Sequence, residues 1–275
     1  MSNTYRKWLS VATISILALS QAMAGMSPEE VKAFESIKAK AEKGDALSQH
    51  TLGIFYLYGE GVEKAPSEAA KWFRKAAEQG LAKAQYALGY CYEDGEGVEK
   101  DKVLAFNWYH KAAAQGNAKA QYSVGFACHY GEGTTKDFEL AGKWYTLSAN
   151  QDYAPAQYML GRMYDVGFGG LAEDNALAAS LFKKAAFQGY DLAQYELAIS
   201  YRLGNGVIKD TIEAYAYWNI AGVTNLVARD QLQALENKMS HDEVVAGQKR
   251  TRELKKEIEA SIEAKKAEAE KKAGK

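Results

Sequence analysis

Histidine and cysteine are scarce in this chain of 275 residues, which has four of the former and two of the latter. No His-Glu-x-x-His run occurs, and no two histidines stand four residues apart, so a zinc site has little support. A Gly-x-Ser-x-Gly nucleophile turn is also missing, and neither cysteine has an obvious histidine partner. The sequence therefore predicts no catalytic residue, no metal site and no cofactor.

Excess charge and long apolar segments are lacking as well. The formal net charge is -1, and no concentrated basic face marks the chain as a nucleic-acid binder. Beyond the first 24 residues no apolar run is long enough to cross a bilayer. We therefore expect neither a nucleic-acid partner nor a membrane span in the mature chain.

The amino terminus has the pattern of a secretory signal peptide. Arg6 and Lys7 form a basic start, residues 8–19 are mostly apolar, and Ala22-Met23-Ala24 offers small residues to a signal peptidase. We expect cleavage after Ala24 and a periplasmic or secreted bacterial protein, with an uncleaved amphipathic helix as the alternative. No cysteine follows for a lipid anchor, and the mature formal charge would be about −3.

A short motif recurs five times at a nearly constant interval. Its copies are SQHTLG at 48–53, AQYALG at 84–89, AQYSVG at 120–125, AQYMLG at 156–161 and AQYELA at 193–198, at offsets of 36, 36, 36 and 37 residues. A fixed period of this length indicates stacked supersecondary units. Such solenoids generally present a binding surface and carry no catalytic pocket.

Each unit is predicted to be helix, loop, helix. In residues 82–116, Gly89 lies mid-helix, where it is unfavourable unless another helix crosses closely. Gly95 suits a left-handed helix end, Gly97 would turn the chain back, and Asp101 suits the N-cap of the second helix. The counterparts of Gly89 are Gly53, Gly125 and Gly161. Those of the Gly95/Gly97 pair are Gly59/Gly61, Gly131/Gly133 and Gly204/Gly206, and those of Asp101 are Asp137, Asp174 and Asp210.

Bulky residues recur in pairs along the second helices. The pairs are Trp72-Phe73, Trp108-Tyr109, Trp144-Tyr145, Leu181-Phe182 and Tyr217-Trp218. They could form a ligand cage, but recurrence in every unit favours packing in the core. Cys91 and Cys128 lie in neighbouring units at different positions, so buried thiols are favoured over a disulfide between them.

The order of Gln-Tyr, Leu-Gly, Tyr, Gly-x-Gly, Asp and Trp-Tyr at five regular offsets resembles the Sel-one-like repeat, a longer relative of the tetratricopeptide repeat. The resemblance covers residues 41–225. It implies an all-α, right-handed solenoid of antiparallel helix pairs that mediates protein–protein contacts, often in bacterial envelopes and signalling. Some cysteine-rich members act on β-lactams, but this chain lacks their cysteine pair in each repeat.

The predicted organisation has five segments. Residues 1–24 form the signal peptide, 25–45 an amino-terminal capping helix, 46–225 the repeats, 226–262 carboxyl-terminal capping helices, and 263–275 a charged solvated tail. Ser27-Pro28-Glu29-Glu30 and Ser240-His241-Asp242-Glu243 have the pattern of capping boxes at the starts of terminal helices. Polar caps of this kind protect the ends of a solenoid from water.

The inner face of the first helices is the predicted partner site. Three columns of outward positions supply the candidates Tyr86, Tyr122, Tyr158 and Tyr195; Tyr90, Phe126 and Arg162; and Glu93, His129, Asp165 and Arg202. In the first repeat the three columns begin with His50, Ile54 and Leu57. Tyrosine and arginine are frequent interface anchors, and an amphipathic groove suits a peptide or a helix. For the tyrosine column, packing in the core is the favoured alternative.

These observations predict a monomeric interaction scaffold, adaptor or regulator that binds a protein or peptide through the concave face of the solenoid. One alternative is an envelope enzyme that acts on β-lactams or peptidoglycan, since paired carboxylates meet only in three dimensions. The other is a virulence factor that binds a host protein.

Overall fold

The structure, a computed structural model, describes residues 27–273 and is helical without strands over that range. The predicted signal peptide, residues 1–24, lies outside the described residues. Two compact units are present: residues 27–127 with 131–135, and residues 128–130 with 136–273. The helices described are α1 Pro28–Glu42, α2 Ala46–Tyr58, α3 Pro66–Glu78, α4 Ala82–Asp94, α5 Lys102–Ala114, α6 Ala118–Tyr130, α7 Phe138–Ala149, α8 Ala154–Val166, α9 Asn175–Ala186, α10 Asp191–Leu203, α11 Thr211–Ala221, α12 Leu226–Glu236 and α13 His241–Ala273.

Helix boundaries in the repeats follow from the recurring aspartates and glycines. Asp101 accepts hydrogen bonds from the N–H groups of Val103 and Leu104 at 2.9 Å, which satisfies two of the free donors at the start of α5. Gly95 ends α4 in the left-handed conformation, with φ of 77°. The same roles are confirmed for Asp137, Asp174 and Asp210, and for Gly59, Gly131 and Gly204. Gly167 ends α8 in the same conformation.

The mid-helix glycines make room for an aromatic ring. A Cβ on Gly53 would lie 2.5 Å from the ring of Phe73, and one on Gly161 would lie 2.7 Å from the ring of Phe182. Gly89 faces Tyr109 in the same way at 2.7 Å. The predicted close crossing is therefore confirmed, and the second helix of the pair approaches through its second bulky residue.

Those rings form the core of each helix pair, as predicted. Phe73, Tyr109 and Phe182 are at most 3% exposed. The preceding tryptophans, Trp72 and Trp108, are only half-buried. Lysine ammonium groups lie over their rings, at 3.9 Å from the centroid in Trp72 and 4.0 Å in Trp108, so the outer aromatic surface is covered by cation–π contacts.

The second glycine of three Gly-x-Gly turns touches the preceding helix pair. Gly97 has φ of 75°, and a Cβ there would overlap the carbonyl of Pro66 and lie 2.5 Å from the nitrogen of Ser67, at the start of α3. Gly133 meets Lys102 and Gly206 meets Asn175 in the same arrangement. Sequence analysis predicted only a turn at these positions, whereas the structure shows backbone contact between neighbouring pairs.

In three repeats, the glutamine of the recurring motif joins three successive helices. In α4, the buried Gln85 donates from Nε2 to the Ala77 carbonyl at 3.2 Å, and its Oε1 accepts from Gln115 Nε2 at 2.7 Å. Ala77 belongs to α3 and Gln115 caps α5. Equivalent bonds link Gln49 with Ala41 and Gln79, and Gln157 with Ala149 and Gln188. We call this arrangement the glutamine clamp.

The terminal helices have the predicted starts. Ser27 and Glu30 exchange side-chain-to-backbone hydrogen bonds at 2.7 and 3.3 Å, and Ser240 and Glu243 do the same at the start of α13. Leu254 of α13 is fully buried in the core of the second unit, which includes residues of α10 and α11. Residues 263–271 of this helix are exposed.

Candidate interaction groove

A groove runs along the first helices of the first unit. It encloses about 680 Å³ and is formed by α2, α4 and the start of α6. The residues that line it include two predicted site residues, Tyr86 and Tyr90, and three further members of the predicted columns, His50, Ile54 and Leu57. The structure therefore brings five of the six predicted positions of the first two repeats together on one surface, and Glu93 is the exception.

The floor of the groove is apolar and aromatic. Ile54 and Leu57 come from α2, and Ala87 comes from α4. Tyr86 is half-buried because its ring lies 5.4 Å from that of Tyr109, centroid to centroid. One face of the Tyr86 ring thus packs on the core, which was the alternative considered for the tyrosine column. The residue nevertheless also lines the groove.

Tyr90 is more accessible than Tyr86, with 36% of its surface exposed. A hydrogen bond to the Asp94 carboxylate, followed by burial, raises the pKa of its phenol to about 12. The phenol therefore stays protonated at neutral pH. Its ring is available for contact with a partner, as expected of an interface anchor.

Lys83 and Lys119 supply the positive charge of the groove. Both occupy the first turn of a helix, α4 and α6, where the helix dipole disfavours a cation by about 0.3–1 kcal/mol. Neither makes an ion pair with the residues that the structure describes. Burial and the nearby Lys83 charge lower the pKa of His50, so this ring is neutral at pH 7. An anionic group would relieve the uncompensated charge.

Three predicted site residues of the first unit lie elsewhere. Glu93 and Phe126 line a small cleft together with Tyr109, whose hydroxyl donates to the Glu93 carboxylate at 2.6 Å. The ring of Tyr122 lies 6.1 Å from that of Phe126. Because the Glu93 carboxylate already accepts a buried hydroxyl, part of its role is to hold the two helices of its pair together.

In the second unit, Arg162 contacts Tyr158, another predicted site residue, and the carboxylate of Glu196. Arg162 Nη1 donates to the Tyr158 hydroxyl at 3.4 Å, and Arg162 Nε lies 3.9 Å from the Glu196 carboxylate. The hydrogen bond to Tyr158 raises the pKa of Arg162, whereas burial raises the pKa of Glu196 and of Asp165. Tyr158 is itself buried, and Tyr195 is half-buried.

His129 lies in an aromatic cluster of the second unit. Its ring centroid lies 4.6 Å from that of Tyr130, 5.2 Å from Phe138 and 5.9 Å from Phe168. Its Nδ1 is buried and has no hydrogen-bond partner among the described residues. Burial, with the charges of Lys136 and Arg162, lowers the pKa of this imidazole, so the neutral ring is the stable form.

Acidification is expected to destabilise the second unit through His129. The folded pKa lies below the ordinary value of about 6.5, so the unfolded chain binds the proton more readily. Neutral His129 therefore contributes fully to stability above about pH 6.5, the ordinary pKa, and this contribution falls as the pH drops below it. Urea unfolding between about pH 5 and 8 should show a smaller loss in His129→Phe than in the unmodified chain.

His50 titrates in the same direction and is unchanged in that variant, so only the difference between the two profiles reports on His129. Profiles that stay parallel over the whole range would contradict this assignment.

Sequence reasoning missed the two lysines of the groove. Both occupy the second position of the Ala-Lys-Ala-Gln-Tyr motif, at 83 and 119, whereas Leu47, Pro155 and Leu192 stand there in the other repeats. The residue at this position of the motif therefore varies among repeats, as it does in the predicted columns. That variation could have identified the position as a candidate for partner binding.

Both cysteines are free and buried. Burial raises the pKa of the Cys91 thiol to about 11 and raises that of Cys128 as well, so neither is a reactive thiolate. This agrees with the interpretation favoured from the sequence. Within residues 27–273, no group of three or more His, Cys, Asp or Glu side chains could hold a metal ion. Over the same range, none of the helices combines the length and the apolar composition that a bilayer-spanning segment needs.

A family model described as Sel1 repeat matches five consecutive segments of the chain, residues 46–81, 82–117, 118–153, 154–190 and 191–222. No curated protein matches the chain.

Two solved structures are similar at 32% identity. One is a protective antigen present in uropathogenic Escherichia coli strains, described as displaying an SLR fold, with a TM-score of 0.69 over 81% of this chain and 49% of that one. The chain thus spans about half the length of the antigen. The other is a Sel1 repeat protein from Oxalobacter formigenes, with a TM-score of 0.65 over 82% of this chain and 85% of that one. These similarities confirm the predicted all-α solenoid fold.

Proposed function

Because the chain belongs to the Sel1 repeat family, we propose that it mediates protein–protein contact and binds a segment of its partner in the groove of the first unit. The observation that carries this proposal is the composition of the groove. An apolar and aromatic floor lies beside two lysines that lack carboxylate partners among the described residues. Such a surface suits a peptide or helix that presents apolar side chains and a carboxylate.

The aromatic residues would supply most of the affinity. Tyrosine is enriched among binding hot spots, the residues whose truncation to alanine costs about 2 kcal/mol or more. Tyr90 has the exposure for this role, while Tyr86 is held in place by Tyr109. Lys83 and Lys119 would then set the orientation of the bound segment.

A displayed library of random peptides, selected on the purified chain, tests the proposal. Selected peptides should combine leucine or aromatic residues with aspartate or glutamate. The Lys83→Glu/Lys119→Glu variant should bind them at least tenfold more weakly, which corresponds to about 1.4 kcal/mol, and Tyr90→Ala should lose a similar amount.

Lys255→Glu/Lys256→Glu is the matched control, since it makes the same change in net charge on exposed residues of α13. It should leave affinity unchanged. Peptides that bind the groove variants as tightly as the unmodified chain would remove the groove as the binding site.

We also propose that the chain acts outside the bacterial inner membrane, in the periplasm or after secretion, as a scaffold, adaptor or regulator. The support comes from Arg6, Lys7, the apolar residues 8–19 and the small residues at 22–24. The intact mass of protein recovered from the producing bacterium should correspond to a chain that begins at Gly25. A mass that retains residues 1–24 would contradict export by this route.

A further inference from the structure

A second cavity, of about 210 Å³, lies in the second unit where the end of α10, the start of α11 and α12 meet. Three cationic side chains line it: Arg202, Lys209 and Lys238. Thr211 and Gln231 add a hydroxyl and an amide, and none of the lining residues is acidic. A concave site with this composition favours an anion.

The positive charge of this cavity is not balanced nearby. None of the three cations makes an ion pair with a residue that the structure describes. Asp210 is the adjacent carboxylate in the chain, and it accepts hydrogen bonds from the N–H groups of Ile212 and Glu213 at 2.9 and 3.0 Å. That carboxylate is therefore engaged as the N-cap of α11.

A buried donor provides independent support. Trp218 lines the cavity and is 1% exposed, and its indole N–H has no acceptor among the described residues. Buried N–H groups are nearly always hydrogen-bonded, and leaving one unsatisfied is unfavourable. The Arg202 guanidinium lies 5.8 Å from the centroid of the same ring, so the aromatic face and the cation are held close together.

Helix dipoles explain only part of this arrangement. Arg202 lies in the last turn of α10 and Lys238 lies just beyond α12, where the carboxyl end of a helix favours a cation. The dipoles account for each position separately. They do not account for the convergence of both residues with Lys209 on one cavity, nor for the unpaired indole N–H.

We propose that this cavity binds a phosphate group, either as the free ion or as the headgroup of a lipid. Arginine offers a planar pair of donors that matches phosphate oxygens, and lysine ammonium groups add charge and further donors. A dianionic phosphate balances more of the three positive charges than a single carboxylate does. The inference does not depend on the groove proposal, because it concerns other residues.

Calorimetry on the purified chain, at constant ionic strength and near neutral pH, tests the proposal with three probes. These are inorganic phosphate, acetate, and phosphatidylcholine vesicles that contain phosphatidic acid. Phosphate should bind, acetate should bind at least tenfold more weakly, and Arg202→Gln/Lys238→Gln should weaken phosphate binding at least tenfold. Both residues are exposed, so the variant should retain its fold.

Lys40→Gln/Lys100→Gln, which removes two exposed lysines of the first unit, is the matched control and should bind as the unmodified chain does. Vesicle binding that is lost in the Arg202/Lys238 variant identifies a lipid source, and binding of inorganic phosphate alone identifies the free ion. The proposal is overturned if no probe binds, if acetate binds as tightly as phosphate, or if the variant and the unmodified chain bind alike.

Discussion

Gly97→Ala is expected to lower the free energy of unfolding by about 2–5 kcal/mol, although it adds a single methyl group. Two unfavourable effects add at this position. The residue has φ of 75°, a conformation that disfavours any Cβ, and the new methyl would overlap the Pro66 carbonyl. A backbone carbonyl at the start of a helix cannot rotate away as a side chain can, so the two helix pairs must separate.

Gly116→Ala separates the two effects. Gly116 also has a positive φ, of 86°, but no atom lies within 4 Å of the position that its Cβ would occupy. This control should lose only the conformational part, about 1–2 kcal/mol. Urea unfolding of both variants measures the difference, and equal losses would show that the contact between neighbouring pairs is not tight.

Gly161→Val should also have a large effect and lower the free energy of unfolding by about 2–4 kcal/mol. The first atom of the new side chain would already lie 2.7 Å from Cε1 of Phe182, a ring that is 1% exposed and has little freedom to move. Overpacking of this kind forces a side chain out of its rotamer or moves the helix. Thermal or urea unfolding gives the loss directly.

A double variant tests the cause of that loss. In Gly161→Val/Phe182→Leu the smaller side chain leaves space for valine, so the two losses should be less than additive. Ala198→Gly is the reciprocal control, because the fifth repeat has alanine in this register. It should cost about 1 kcal/mol, as expected for glycine inside a helix. Strict additivity in the double variant would mean that the ring and the glycine do not compete for space.

Local structure could be predicted from the sequence wherever one residue determines the outcome within its own helix. Asp101 and Gly95 act on the nearest turn, and their cap and helix-end roles were deducible from residue type and register alone. The mid-helix Gly89 also indicated a close neighbour. That the neighbour is the ring of Tyr109 depends on how the two helices pack, and only the structure shows this.

Contacts between repeats were beyond the reach of the sequence. Gly97 was predicted to turn the chain, but its contact with Pro66 links residues 31 positions apart. The glutamine of Gln-Tyr was recognised only as part of a motif, since nothing in a single repeat shows that Gln85 bonds to two other helices.

The candidate site was predictable only where the exposure of a residue follows from its position within one helix. Tyr86 and Tyr90 were identified because their positions face outward by helical periodicity, and both line the groove. Lys83 precedes the repeated Gln-Tyr, in a segment that periodicity assigns to the helix start, and its exposure to the groove depends on the neighbouring helix. For His129, burial among rings of the second unit was not visible in the sequence.

The glutamine clamp bears on how such chains change length during evolution. Every clamp uses the same three chemical groups, and its two partners lie 30 or 31 residues after and eight residues before the glutamine. Duplication or loss of one complete repeat would therefore recreate an identical junction, whereas a crossover that removed half a repeat would leave a buried amide without its acceptor. Recombination that adds or removes whole repeats should therefore be tolerated. Homologous chains should then differ in length by whole numbers of repeats.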